Sequence, residues 1–322
     1  MMVPEPEATA PTPASARHPV LVCAALRGEL TPWLRALRDR RSLHCGPALL
    51  GLVEGRLATR LLHVAWFGVG ASRAAAAAEE LAGRLCGRTT ERAQRVPADA
   101  AGAPTVYLVG LAGGLDPALR VGETVWIDGI DRIDDLDAMD RSGPRGLRSH
   151  GDRIDGVELL EESGRNDEPG RGVAVGLAAT GAPAPSMLRA AAPLRGRADG
   201  RLATLTGPRP LASAAEKARL WDALERPLRA LVDMESHPFV DRLTAAGERV
   251  AVLRAVSDVA DESLPAVLAA GFGPGGLDAG RIARSAVLRP HSWSSLARLS
   301  SRLRRGAAAL AAALHAELGV DP

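Results

Sequence analysis

The sequence predicts an α/β fold, a three-layer α/β/α sandwich around a central, mostly parallel, twisted mixed sheet. Three observations predict it. Strand-like and helix-like segments alternate from residue 19 onward. The strand candidates are apolar runs, such as Pro19 to Leu26 and Thr105 to Leu111, as expected where both faces of a sheet are covered. The helix candidates carry one apolar stripe at three- and four-residue steps, the pattern of a helix laid on a sheet.

The elements follow in order. Residues 1–17 hold several prolines with Glu5 and Glu7, lack the apolar run of a secretory signal, and read as a disordered tail. Pro19 to Leu26 is the first strand. Glu29 to Arg41 has helical spacing, with Leu30, Leu34 and Leu37 on one side. Leu49 to Val53 and Arg56 to Phe67 read as two strands around a Glu54-Gly55 turn. Ala71 to Leu85 is an Ala-rich helix that should close near Gly87. Gly87 to Pro104 is polar and reads as a loop. Thr105 to Leu111 and Val121 to Ile130 are the next strands.

Residues 131–172 are dense in Asp, Arg, Gly and Glu and read as a polar insertion. Val173 to Ala178 and Arg201 to Thr206 restore the strand pattern. Ser213 to Leu224 is a helix, Leu228 to Met234 a strand that runs into a helix at Glu235 to Ala246, and Arg249 to Ser257 the last strand. A long helix over 291–318 closes the chain, with Trp293, Leu296, Leu299, Leu303, Ala307, Leu310 and Leu314 in one stripe. No repeat or linker interrupts this order, so residues 18–322 read as a single domain.

Composition narrows the function classes. The chain has 322 residues, 46% of them hydrophobic, enough for one sizeable core. Forty basic and 38 acidic residues leave a net charge of +2, so nucleic acid is not an expected partner. Lys217 is the only lysine; the excess of Arg, Ala and Gly looks like codon bias. Cys23, Cys45 and Cys86 have neither CxxC nor Cys/His spacing, which argues against a disulfide framework and a metal site and suggests a reducing, cytoplasmic setting. No apolar stretch reaches the roughly 18 residues of a membrane span.

Five segments could carry chemistry. Gly68-Val-Gly70-Ala-Ser-Arg73 lies between a strand and a helix, where backbone amides can face an anion or a ribose hydroxyl. It lacks the third glycine and the acidic partner of a dinucleotide site, so an NAD-dependent oxidoreductase is disfavoured and a plain tight turn explains the glycines. Gly110-Leu-Ala-Gly113-Gly114-Leu-Asp116-Pro117 lets backbone approach a ligand, or simply ends a strand. Val232 to His237 places Glu235 at a sheet's carboxyl end, where it could bond ribose hydroxyls or merely favour a helix dipole. Arg254-Ala-Val-Ser257-Asp258 sets a carboxyl beside apolar residues, fit for a general acid or for a helix cap. Glu29 follows the first strand and, in isolation, is an ordinary first-turn residue.

Each segment alone is weak; their order is not. VLVCAALRGELTPW, VAWFGVGASRAAAAAEEL, VYLVGLAGGLDPALRVGETVWID, VDMES and VAVLRAVSDVADES resemble the nucleoside phosphorylase and methylthioadenosine/S-adenosylhomocysteine nucleosidase superfamily, in that family's order, over about residues 19–265. The resemblance implies a phosphorylase-like sheet fold and cleavage of the N-glycosidic bond of a purine nucleoside, without a cofactor. In its nucleosidase branch, Asp258 would be the general acid to purine N7, and Glu29 would orient or deprotonate the attacking water. Glu235 would bind ribose hydroxyls and Met234 pack on the sugar, with Arg254 and Ser257 in support and Gly70, Gly113 and Leu211 at the nucleoside.

The sequence departs from the pattern in two places. Pro210, in Thr206-Gly-Pro-Arg-Pro210-Leu211, stands about where an adenine-stacking aromatic belongs. Arg27 stands where the family often has an acid and could bind phosphate, which keeps phosphorolysis open. Leu264-Pro265, the Asp-Met-Glu-Ser-His run and the Arg-rich last helix also resemble the hopanoid-associated branch, which implies adenosylhopane as substrate and peripheral membrane contact if the substrate is a lipid. Against that, simple packing explains the last helix, whose stripe lacks a bulky aromatic face. A homodimer is implied by the family alone. A catalytically silent purine-binding module is the remaining alternative.

Overall fold

The structure, a computed structural model, describes residues 20–89, 106–133, 202–224, 229–273, 276–289 and 292–320. The N-terminal tail, most of the 87–104 loop, residues 134–172 of the polar insertion and the Val173–Ala178 strand lie outside the described residues.

Among the described residues, ten strands build the main sheet: β1 (Val20–Ala24), β2 (Arg38–Ser42), β3 (Gly51–Leu57), β4 (Arg60–Trp66), β5 (Val106–Gly114), β6 (Thr124–Trp126), β7 (Gly129–Arg132), β8 (Leu202–Thr206), β9 (Arg229–Asp233) and β10 (Val250–Asp258). Their order is β2-β3-β4-β1-β5-β9-β8-β7, with β10 paired to β5 and β6 to β10. The β1–β4, β1–β5, β5–β10, β7–β8 and β8–β9 pairs are parallel; β2–β3, β3–β4, β5–β9 and β6–β10 are antiparallel.

The apolar runs are strands because both faces are covered. Leu21 and Cys23 of β1 face one core, with Ala74, Ala77 and Leu81 of α2 (Ala71–Thr89) and Phe239 and Leu243 of α4 (Ser236–Ala245). Val20, Val22 and Ala24 face the other, with Trp33 and Leu34 of α1 (Thr31–Ala36) and Leu310 and Leu314 of α7 (Trp293–Leu318). Period-two alternation thus feeds two cores, the three-layer α/β/α arrangement that the sequence predicts. A third, smaller core joins Leu220 of α3 (Ala214–Ala223) to Leu205 and Val232 at the far end of the sheet.

Several local expectations change. The helix after Glu29 stops at Ala36, and the polar Arg38–Ser42 pairs with the β3 edge instead, because the apolar stripe ends at Leu37 and nothing remains to bury another turn. The β3–β4 turn is at Ala58-Thr59, where Ala58 takes φ 52°; Glu54 and Gly55 lie within β3. Gly55 serves packing: a Cβ there would stand 3.0 Å from Arg38 O and from Leu37 Cβ. Helix α2 runs through Gly87 to Thr89.

The Val121–Ile130 strand is two, since β6 pairs with β10 and β7 leaves to pair with β8. Residues 131–133 belong to the fold, with Asp131 and Arg132 in β7 and the Ile133 amide bonded to Thr206 O at 3.0 Å. Unforeseen elements follow β10: α5 (Ala266–Ala269), the β11 (Phe272–Gly273) and β12 (Gly276–Leu277) pair, and α6 (Ala279–Leu288), capped by Asp278.

Helix α7 divides in two. Its C-terminal half buries Ala307, Leu310, Leu314 and Leu318 on the sheet. Gly306 permits that approach, as a Cβ there would overlap the Leu111 side chain. Its N-terminal half leaves Trp293 60% exposed and turns Leu299 and Leu303 toward a cavity. No helix of the described residues is long and apolar enough to cross a membrane.

Candidate active site

The carboxyl ends of β1, β5, β9 and β10 meet at one cavity of about 200 Å³. In parallel sheets this edge collects functional side chains. Asp258 occupies the last position of β10, just past a register shift between Val256 and Asp258, an irregularity of the kind that re-aims side chains. Glu29, Gly113, Leu211, Met234, Glu235, Ser257 and Asp258 all line the cavity.

Glu29 is 6% exposed. Its carboxylate accepts the Leu26 amide at 2.8 Å and the Leu111 amide at 2.9 Å, which fixes both oxygens across the β1 and β5 strand ends. Burial raises its pKa above the usual carboxylate value, opposed by these two amides and by Arg254. A buried carboxylate with a raised pKa is a more effective base near neutral pH.

Behind it lies a buried charge cluster. Arg254 is 1% exposed and donates from Nη2 to Asp233 Oδ2 at 2.8 Å and to Ser236 Oγ at 2.7 Å. Asp233 also accepts the Thr206 hydroxyl at 2.8 Å, the Ser236 and Glu235 amides at 3.2 and 3.3 Å, and the Ser236 hydroxyl. Glu235 accepts the Gly70 amide at 2.9 Å. Burial and the Asp233 charge push the Glu235 pKa up to about 7, against the pull of Arg254 and the Gly70 amide. Glu29, Asp233 and Glu235 thus surround a single guanidinium, and when ionised they leave this side of the cavity negative. Such a surface favours a positive charge that develops beside it.

Asp258 lines the same cavity with partners of its own. It is 5% exposed, with Lys217 Nζ donating to Oδ2 and the Ser257 hydroxyl reaching Oδ1. Gly113 keeps this corner open, since a Cβ there would stand 3.3 Å from Asp258 Oδ2. Pro210 and Leu211 form the wall that leads into α3, whose capping box joins Ser213 and Glu216.

The structure therefore brings Glu29, Gly113, Leu211, Met234, Glu235, Ser257 and Asp258 together at one cavity. Arg254 sits behind the carboxylates. Gly70, at φ 113°, serves the cavity indirectly: its amide is bonded to Glu235. Arg27 is exposed, with its guanidinium 5.7 Å from the centre of the Trp66 ring, and is not part of the cavity wall. Sequence reasoning missed Asp233, Ser236, Lys217 and Phe272. Asp233 and Ser236 stood inside a motif already singled out. Lys217 had one signal, its being the only lysine beside many arginines.

A profile of the phosphorylase superfamily matches residues 20–271. The chain belongs to the phosphorylase superfamily. No curated protein sequence matches it significantly. Among solved structures, a point mutant of Helicobacter pylori MTAN with 5′-methylthioadenosine in its active site is 17% identical, covers 92% of this chain and 98% of its own, and superposes with a TM-score of 0.50. Streptococcus pneumoniae MTA/SAH nucleosidase in complex with 8-aminoadenine is 13% identical, with 94% and 100% coverage and a TM-score of 0.50. Futalosine hydrolase of Helicobacter pylori is 16% identical, with 92% and 97% coverage and a TM-score of 0.49. At these identities the two likenesses with a TM-score of 0.50 show a shared fold.

Proposed function

We propose that this phosphorylase-superfamily protein hydrolyses the N-glycosidic bond of an adenine nucleoside and releases adenine. The observation that carries the reading is the lining of the cavity. Asp258 lines it, held by Lys217 and Ser257; Glu29 and Glu235 line it from the Arg254–Asp233 cluster; and the sole basic residue among the described lining residues, Lys217, is fully committed. Phosphorolysis needs an available cation for phosphate, and Arg27 lies outside the wall.

The chemistry follows from the placement. As the C1′–N9 bond breaks, its electron pair moves into the purine and Asp258 delivers a proton to N7. The ribosyl group becomes an oxocarbenium-like cation, facing Glu29 and Glu235. Water adds to C1′ and passes its proton to Glu29, while Glu235 bonds the ribose hydroxyls and Met234 packs on the sugar. A positioned proton transfer contributes about 10²–10⁴-fold.

The remaining cavity wall supports an apolar 5′ substituent. Leu264, Leu268, Phe272, Leu277, Leu299 and Leu303 supply it, and Phe272 provides an aromatic that Pro210 does not. A methylthio group or the hydrocarbon of an adenosylhopane-type substrate fits such a wall better than the charged tail of S-adenosylhomocysteine. Val287, Leu288 and Trp293, each at least 60% exposed at the α6–α7 junction, support peripheral membrane contact for a lipid substrate. A cytoplasmic homodimer remains part of this reading.

The test is adenine release by chromatography, with and without phosphate, from methylthioadenosine, S-adenosylhomocysteine, adenosine, inosine and an adenosyl-lipid. Phosphate-independent release from an apolar 5′-substituted adenosine is expected. Release only with phosphate would make the protein a phosphorylase. Tight nucleoside binding with no release would make it a silent binding module.

A further inference from the structure

Lys217 is the one lysine among 40 lysine and arginine residues, and its side chain is 1% exposed. A charged ammonium has three N–H donors. Here all three are used: on Asp258 Oδ2, on Val259 O at 2.7 Å and on Glu262 O at 2.9 Å. A neutral amine would turn a lone pair toward one of these acceptors, so the cage fits the ammonium form. An arginine could not replace it, because five N–H donors in a planar fork would meet three acceptors in a closed space. The Glu262 carboxylate is turned away, held by Arg302 at 2.6 Å, so only its carbonyl faces Lys217.

The opposite oxygen of Asp258 has a different partner. The Ser257 hydroxyl has one proton and two acceptors within reach, Asp258 Oδ1 and Ala112 O, the latter at 3.1 Å. Oδ2 is thus reserved by an obligatory donor, whereas Oδ1 meets a hydroxyl that can turn either way.

We infer that Lys217 is a positioning residue that fixes which oxygen of Asp258 carries the transferred proton. The inference rests on the reading of Asp258 as general acid. With Oδ2 occupied by the ammonium, the proton sits on Oδ1 while the Ser257 hydroxyl donates to Ala112 O. When the proton moves to purine N7 and the C1′–N9 electron pair enters the ring, Asp258 becomes a carboxylate. Lys217 then holds the negative Oδ2, and the Ser257 hydroxyl turns to donate to Oδ1. One proton and one bonding pair move, and no other reactant is needed. The two donors stabilise the carboxylate formed in that step.

The same lysine joins two parts of the cavity. Its helix, α3, follows the Pro210-Leu211 wall, and the strand-to-helix loop after Asp258 is tied to it again by the Leu264 amide on Ala212 O at 2.8 Å and the Ala214 amide on Ser263 Oγ at 3.1 Å. The Pro210-Leu211 wall and the acid are thereby held in register by the same contacts.

The test compares two substrates with one sugar: methylthioadenosine, whose base leaves only with a proton, and 4-nitrophenyl 5-methylthioriboside, whose phenolate leaves without one. Lys217→Met should lower kcat on methylthioadenosine by about 10²-fold or more, with KM within about threefold, and lower nitrophenolate release by less than about tenfold. Ser257→Ala should show the same selectivity with a smaller loss, and carries the test alone if Lys217→Met does not fold. Equal losses on both substrates, or none on methylthioadenosine, would overturn the inference. If Asp258→Asn also leaves methylthioadenosine turnover intact, the acid assignment itself has failed. A wild-type protein that cleaves neither of these nor the adenosyl-lipid removes both readings.

Discussion

Arg254→Met probes the charge cluster on which the site stands. The guanidinium is 1% exposed and the Asp233 side chain it holds is fully buried, at 2.8 Å. Removing one partner of a buried pair costs about 3–5 kcal/mol, because a charge is left uncompensated. Asp233 keeps the Thr206 hydroxyl, two amides and the Ser236 hydroxyl, which places the loss at about 3 kcal/mol, the lower end of that range. That is a large share of the roughly 5–15 kcal/mol that holds a typical domain together.

The double variant Arg254→Met/Asp233→Asn decides whether charge is the cause. Asn at 233 retains an acceptor for Thr206 and the amides, and carries no charge to leave unpaired. Urea unfolding of wild type, Arg254→Met, Asp233→Asn and the double variant at neutral pH measures the coupling. The double variant should be more stable than Arg254→Met alone by about 1–2 kcal/mol. A loss below about 1 kcal/mol for Arg254→Met, or strictly additive losses, would refute the reasoning.

Two further outcomes follow from the same geometry. Glu29→Gln should lower kcat by about 10²-fold or more while a non-hydrolysable nucleoside analogue binds within a few-fold of wild type, checked by steady-state kinetics and calorimetry; an unchanged kcat with weakened binding would remove Glu29 as the base. Glu235 titrates near 7 in the fold against about 4.5 for an ordinary Glu, so its neutral form is favoured on folding and its contribution is lost as pH rises through about 7. Melting temperatures between about pH 5 and 8 should therefore fall more steeply for wild type than for Glu235→Gln, and parallel curves would contradict the assignment.

Much of this was legible in sequence, for physical reasons. The buried strands β1, β5 and β10 announce themselves because a strand covered on both faces is apolar at nearly every position, polar residues being confined to those that find buried partners, as Arg254 does. Glu29, Glu235 and Asp258 each stand near the end of such a run, where singly they read as first-turn or capping residues; the order of the segments that resembles the superfamily singled them out. The polar edge strand β2 carried no such signal: its five residues are all exposed, and only pairing with β3 makes them a strand. Gly55 misled because glycine marks both turns and close approaches, and here the approach of Leu37 and Arg38 decides. The split of β6 from β7 depends on which neighbour each strand finds, a tertiary choice that periodicity does not record. The elements from Ala266 to Leu288 are short, and Leu268, Phe272 and Leu277 line the cavity rather than repeat along a core face. Lys217 lies 41 residues from the aspartate it serves, a separation that no local motif spans.

The most direct test of the central claim is phosphate-free adenine release from methylthioadenosine by wild type and by Asp258→Asn, with circular dichroism confirming that both are folded. Hydrolysis by the wild type and a loss of at least about 10²-fold in the variant is the predicted result. Adenine release by Asp258→Asn at the wild-type rate would contradict the account.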